Sequence, residues 1–281
     1  MNSQIVVTGA TGVLGRAIVE AVAAAGLPLR QAVRDLAKAN PKLDAVHLDY
    51  ADSATIAPAI AGASSLVLMA PPLDPNAPAE LGPVIAAAKA ANLQHLVLIS
   101  AFGVNHNEQA PLRVVEHLVI DSGVPFTIVR PNFFMENFSE GAAASTIRGQ
   151  NAIYLAADEG KTSFISVRDV AAVVVAALRQ SLVGQEFDLT GPAALDHVEV
   201  ARIISEVGGR PITYHALTEQ QMLEGARAHG MPEPSVAYLG VLYGVVRAGY
   251  AAAVAGDFEV ITGRQPMTFN AFAQAAAAAW R

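Results

Sequence analysis

Thr8-Gly9-Ala10-Thr11-Gly12-Val13-Leu14-Gly15 is the stretch that decides how this 281-residue chain is read. It follows the apolar run Ile5-Val6-Val7 and opens an Ala-rich segment ending near Ala25, so it joins a strand to a helix. Gly9 permits the tight turn. Gly12 lets the backbone approach a pyrophosphate with no Cβ in the way, and Gly15 lets the helix pack closely on the sheet. A helix beginning at Gly12-Val13-Leu14 offers free N–H groups and a partial positive charge to an anion. The competing reading is a glycine-rich turn without a ligand. The strand–loop–helix context favours the phosphate loop.

Outward from the loop, short β-branched runs alternate with helical stretches. Strands are expected at Leu29–Val33, Ala45–Leu48, Ser65–Met69, Leu96–Ser100 and Phe126–Val129. Helices are expected at Ser53–Ile60, Ala79–Ala91 and Leu112–Ser122, the last with Pro111 in its first turn and Gly123 as its C-terminal cap. Near-continuous apolar strands joined by helices mean a parallel sheet covered on both faces. The expected fold is α/β: a Rossmann-type doubly wound sheet, one NAD(P)-binding domain over 1–281. The core sheet is placed at about 1–131. A smaller α/β lobe, mainly 132–281, is expected to cover the crevice at the strands' carboxyl ends. In that lobe the pattern suggests helices near 133–148, 167–180, 197–207, 218–228 and 235–252. Strands are expected near 163–166, 186–190 and 211–215, and the Ala tracts near 142–144 and 275–279 read as helix.

Composition narrows the function classes. Hydrophobic residues make up 53% and charged residues 15%, enough for a sizeable core. The net charge of −7, with no basic run, argues against nucleic-acid binding. With no cysteine, disulfides, thiolate catalysis and cysteine zinc sites are excluded. The histidines show no metal-ligand spacing, so no metal is expected. The apolar stretch Val236–Gly256 has the length of a membrane span, but three tyrosines and Arg247 interrupt it. A buried or pocket-covering helix is the expected outcome, with no membrane partner and a cytoplasmic location; monomer and homodimer both stay open.

The G-x-x-G-x-x-G spacing resembles that of the extended and atypical short-chain dehydrogenases. Within them the chain is most similar to the NmrA-like group of quinone reductases, triphenylmethane-dye reductases and festuclavine-type dehydrogenases. The resemblance rests on Thr8–Gly15, Val33-Arg34-Asp35, Asp49, Ser100, the segment Thr127–Phe138, Phe164–Ala171, and Thr262-Gly263-Arg264-Gln265-Pro266 with the Phe and Trp after it. It implies cofactor contacts from Gly9, Thr11, Gly12, Val13, Leu14 and Gly15, and from Met69, Ala70 and Pro71 (followed by Pro72) under the ribose. Asp49 and Tyr50 are implied beside the adenine, and Ser100 beside the nicotinamide.

The end of the second strand selects the ribose. A carboxylate there binds a 2′-hydroxyl, an arginine a 2′-phosphate. Arg34 stands next to Asp35, so the signal is mixed, and the competing reading is a surface pair between the two. Lys38 lies four residues on, on the same face if that segment is helical. In the resembling family the arginine marks NADP, so NADPH is expected over NADH.

The usual superfamily proton donor, a tyrosine with a lysine four residues later, is absent. None of the six tyrosines has that partner, and only Lys38, Lys42, Lys89 and Lys161 exist. Reducing a plain ketone creates an alkoxide and needs a positioned acid. A quinone, a cationic triarylmethyl carbon or an iminium delocalises or neutralises the incoming electron pair and needs less help. The expected reaction is therefore NADPH-dependent reduction of a conjugated, electron-poor acceptor (quinone, azo or triarylmethane dye, or iminium), with Ser100 the one catalytic candidate. A small aromatic substrate would meet Phe102, Phe133, Phe134, Met135, Phe138 and Tyr238, for each of which core packing is the competing role. Two alternatives are a non-catalytic NADP(H)-sensing regulatory protein and an isoflavone-reductase-like enzyme. The latter uses a lysine in the region just before Glu116, and no lysine occurs between Lys89 and Lys161. Arg113 is expected to pair with Glu116, and His117 to sit at the surface.

Overall fold

The computed structural model describes residues 4–71 and 73–281, so Pro72 lies outside the described residues. The chain divides into two compact units.

The first comprises 1–131, 167–188 and 260–263. Its strands are β1 (Gln4–Val7), β2 (Leu29–Val33), β3 (Asp44–His47), β4 (Ala63–Met69), β5 (His95–Ile99) and β6 (Phe126–Pro131), with β8 (Gln185–Leu189) reached at its end. The sheet order is β3-β2-β1-β4-β5-β6-β8, and every pairing from β3 to β5 and β5 to β6 is parallel. The order reverses between β1 and β4, and such a switch point opens a crevice at the strands' carboxyl ends. Helices α1 (Val13–Ala24) and α6 (Val167–Gln180) pack together. A second group comprises α2 (Ile56–Ile60), α3 (Ala77–Ala90) and α4 (Pro111–Ser122), whose buried side chains join Leu66, Leu68, Leu96 and Leu98 in one core cluster. Pro111 starts α4, and Gly123 ends it at φ 74°.

The sheet unit is thus larger than the expected 1–131. It takes back residues 167–188, because the apolar face of α6 finds its partner in α1.

The second unit comprises 132–166, 189–259 and 264–281. Its elements include α5 (Gly141–Gln150), β7 (Ala152–Leu155), α7 (His197–Gly208), β9 (Thr213–Ala216), α8 (Glu219–Ala228), α9 (Glu233–Arg247) and α11 (Phe269–Ala276), with β7 and β9 paired in parallel. The short α10 (Asp257–Thr262) is divided between the units. Phe138, Phe164, Phe269, Phe272 and Trp280 fill the core of the second unit, and Trp280 Nε1 donates to the Phe138 carbonyl at 2.6 Å.

Three expected elements differ, and one strand is new. The helix at 133–148 is instead a 3-10 turn, Met135–Phe138, followed by α5, because Phe134 and Glu140 are extended and Gly141 takes φ 76°. The strand at 163–166 does not form. Its backbone bonds go to three separate segments: Thr162 to Leu195, Ser163 to Ala251 and Ile165 to Phe133. The helix at 235–252 ends at Arg247, where Gly249 turns into the left-handed region. Strand β7, not foreseen, lies where an exposed Tyr154 interrupts any apolar run. Among the described residues no helix is long and apolar enough to cross a membrane.

Candidate cofactor site

The phosphate loop leaves β1 at the switch point. Gly9 takes φ +59°, and a Cβ there would lie 2.8 Å from Met69 Sδ. The loop after β1 and the end of β4 therefore meet with no room for a side chain. Gly12 is exposed, and a Cβ built on it would meet only the Gly9 carbonyl, at 3.4 Å. Gly15 is different: its Cβ would stand 2.0 Å from the Gly9 oxygen. That glycine admits the loop's own backbone, not the sheet assumed from the sequence. Helix α1 begins with no side-chain cap and no acidic residue in its first turn, so no side chain of its own answers its N-terminal donors. An exposed, uncapped helix start behind a glycine cradle fits a dinucleotide phosphate.

The flanking residues divide. Thr8 is buried and ties the two strand ends together: its hydroxyl donates to the Val67 carbonyl at 3.3 Å and accepts from the Met69 N–H at 3.0 Å. Ala70 is half-buried and Pro71 exposed. Tyr50 is half-buried. Its hydroxyl donates to the Met69 carbonyl at 2.9 Å, its ring packs on the sheet core, and burial raises its pKa. The Asp49 carboxylate accepts from the Ala51 N–H in a local turn.

Arg34 is exposed at the end of β2, and the Asp35 carboxylate accepts from the Ala37 N–H rather than pairing with it. Leu36–Lys38 is a 3-10 turn, so Arg34 and Lys38 do not share a helical face.

Ser100 follows β5 and is only 5% exposed. Its hydroxyl donates to Glu116 Oε1 at 2.6 Å. Glu116, on α4, is fully buried and takes a two-pronged bond from Arg130, 2.7 Å from Nε and 2.9 Å from Nη2, with Arg113 Nη1 at 2.9 Å. Burial alone would raise the Glu116 carboxyl; the bonds from Arg130, Ser100 and Arg113 outweigh it and hold the group below the ordinary carboxylate range. Arg130 also reaches Glu186 and Asp188, so the network joins β5, α4, β6 and β8. The i,i+3 pair of Arg113 and Glu116 was foreseen; the partners Ser100 and Arg130 were not. At the surface His117 Nε2 meets Glu108 at 2.7 Å.

In the second unit, Met135 and Phe138 are spent on the core, at 1% and 2% exposure. Phe133 is half-buried with its ring centroid 6.1 Å from that of Tyr243 in an edge-on arrangement, and Phe134 and Tyr238 are half-buried. Phe102, in the sheet unit, is half-buried, and its N–H donates to the Pro131 carbonyl. Sequence reasoning missed Asn132, whose buried amide donates to Ser163 Oγ and the Ala251 carbonyl.

Residues 9–181 match the family model described as NAD(P)H-binding. The chain belongs to this NAD(P)H-binding family. Among its relatives, an NAD(P)H azoreductase from Xenophilus azovorans is 35% identical over 98% of this chain and 99% of that protein. An agroclavine dehydrogenase from Claviceps fusiformis is 35% identical over 73% of this chain and 72% of its own length. The triphenylmethane reductase of Citrobacter sp. shares the fold at a TM-score of 0.84 and 20% identity, covering 98% of this chain and 99% of that one. The protein is an NAD(P)H-dependent oxidoreductase.

Proposed function

We propose that the protein binds NADPH at the Thr8–Gly15 loop and reduces a conjugated, electron-poor acceptor (a quinone, an azo or triarylmethane dye, or an iminium) without a proton donor of its own. The observation that carries this reading is the Ser100–Glu116 bond. Glu116, held ionised by two arginines, is an acceptor only. The single Ser100 proton therefore points at Glu116 and is not offered to a substrate oxygen. No tyrosine with a lysine four residues on replaces it. Bound NADPH would supply the hydride. The chain's own contribution is to hold the phosphates at the uncapped start of α1 and so fix the donor carbon in place.

An acceptor whose product is stable without immediate protonation suits such a site. The 35% identities to an azoreductase and to an agroclavine dehydrogenase support that class. The test is NADPH oxidation, followed by absorbance, against quinones, azo and triarylmethane dyes, cyclic iminium ions and plain ketones. Turnover is expected with the conjugated acceptors and not with ketones. Ketone reduction at comparable kcat/KM, or tight NADPH binding with no turnover on any acceptor, contradicts the proposal.

A further inference from the structure

Tyr243 stands on α9, within the second unit, where the ring of Phe133 meets it edge-on. The two rings pack against a small apolar cluster of Ala157, Val246 and Ala251. Both rings are held in place. Asn132 Oδ1 accepts from the Phe133 N–H at 2.9 Å, while its Nδ2 donates to the Ala251 carbonyl at 2.9 Å. The end of α9 is seated by Arg247, whose Nη1 donates to the Ala156 carbonyl at 2.6 Å. Gly160 lets it approach: a Cβ there would lie 2.4 Å from the Val246 oxygen. Burial raises the pKa of three tyrosines, and they spend their hydroxyls differently. Tyr50 donates to the Met69 carbonyl. Tyr214 donates to the Leu155 carbonyl at 3.1 Å and accepts from the Ala157 N–H at 3.3 Å. The Tyr243 hydroxyl has no hydrogen-bond partner among the described residues, and solvent reaches it. A buried tyrosine usually finds a partner for its hydroxyl. An apolar wall carrying one uncommitted polar group has the make-up of a small-molecule site. Since burial disfavours the phenolate, the hydroxyl keeps its proton at neutral pH.

We propose that Tyr243 is a specificity-determining residue whose hydroxyl donates a hydrogen bond to a lone pair of the acceptor, beside the edge of Phe133. The inference rests on the reductase reading above and adds the residue that sorts its acceptors. The hydroxyl orients the acceptor and keeps its proton, so the reduction still needs no protein acid. It favours an acceptor with a free lone pair, such as a quinone carbonyl. A triarylmethyl cation with fully alkylated nitrogens has its lone pairs delocalised into the rings and leaves the hydroxyl unanswered. A rigid ring with a fixed hydroxyl loses little freedom on meeting its partner.

The test is Tyr243→Phe in the full chain, with menadione as the quinone and crystal violet as the fully alkylated cation. The substitution keeps the ring and removes only the hydroxyl. Calorimetric titration of the NADP⁺-loaded protein gives the Kd of each acceptor, and steady-state kinetics with NADPH give kcat and KM. The preference for menadione over crystal violet, as a ratio of Kd values, is expected to fall by about three- to tenfold, the worth of one hydrogen bond. In turnover the menadione loss should fall on KM rather than on kcat. An unchanged ratio overturns the inference, and so does a loss confined to kcat, which would make Tyr243 an acid. A variant that fails to fold, by circular dichroism, would show that the hydroxyl is spent within the protein and overturns it too. If the wild type turns over neither acceptor, the reductase reading fails on its own, and the Kd ratio still decides the role of Tyr243.

Discussion

Gly12 and Gly15 share one loop and are expected to fail in opposite ways. A valine at Gly12 finds its Cβ no closer than 3.4 Å to any neighbour, so Gly12→Val should fold. Its isopropyl group would fill the ground that a pyrophosphate needs, and NADPH titration should show binding lost with normal circular dichroism. Retained affinity would remove the phosphate-loop assignment. An alanine at Gly15 would place its Cβ 2.0 Å from the Gly9 oxygen, a distance no relaxation of a side chain relieves. Gly15→Ala should cost on the order of 1–3 kcal/mol in urea unfolding, as overpacking does; a stability equal to wild type would contradict the packing described. The glycine pattern was legible in the sequence because only small residues at that spacing build such a turn. What Gly15 touches was not, because spacing reports that room is needed and not which atom needs it. Tyr50 is a similar case: its place after the third strand was visible, but its hydroxyl's partner, the Met69 carbonyl, lies on a strand that only the fold brings alongside.

At the scale of elements, α4 is fastened to the sheet by charge as well as by Val115 and Val119. Glu116 and Arg130 are 0% and 4% exposed, and removing Glu116 leaves Arg130 buried with only the partly exposed Glu186 and Asp188 to answer its charge. Glu116→Ala should therefore lose about 3–5 kcal/mol of stability, read from urea midpoints. A loss under about 1 kcal/mol would mean that Arg130 finds relief from Glu186 and Asp188. The Arg113–Glu116 pair could be read from helical spacing alone. The Arg130 pair, 14 residues away, requires knowing that β5, α4 and β6 form one right-handed crossover. The second unit was less legible for a related reason. The backbone of 162–165 is answered by three distant segments, so it carries no periodic signal.

At the scale of the whole molecule, alternation of strands and helices foretold the parallel sheet, since a strand buried on both faces must be apolar throughout. The division into two units was foretold only in outline, because α6 looks the same whichever unit it packs on. Stability should depend on pH through His197 in the second unit. It is 2% exposed among the rings of Phe138, Phe164 and Tyr214, with no partner for Nδ1 among the described residues. Burial lowers its pKa to about 4 from 6.5, while neighbouring Asp196 pulls weakly the other way. The unfolded chain therefore binds the proton first, and the contribution of the neutral ring is lost as pH falls from 6.5 towards 4. Between pH 7.5 and 5 this amounts to about 2 kcal/mol, which should be missing from the slope of stability against pH in His197→Phe; an identical slope in that variant would show that the ring protonates without cost. The central claim concerns chemistry: reduction without a protein acid. Its most direct test is kcat/KM for Ser100→Ala against wild type with a quinone or iminium acceptor, using NADPH deuterated at C4 to show that hydride transfer is being observed. The account predicts a loss of no more than about tenfold, or about 1.4 kcal/mol, with a primary isotope effect in both proteins. A loss above about a thousandfold at unchanged NADPH affinity would make the Ser100 hydroxyl an indispensable acid and contradict it.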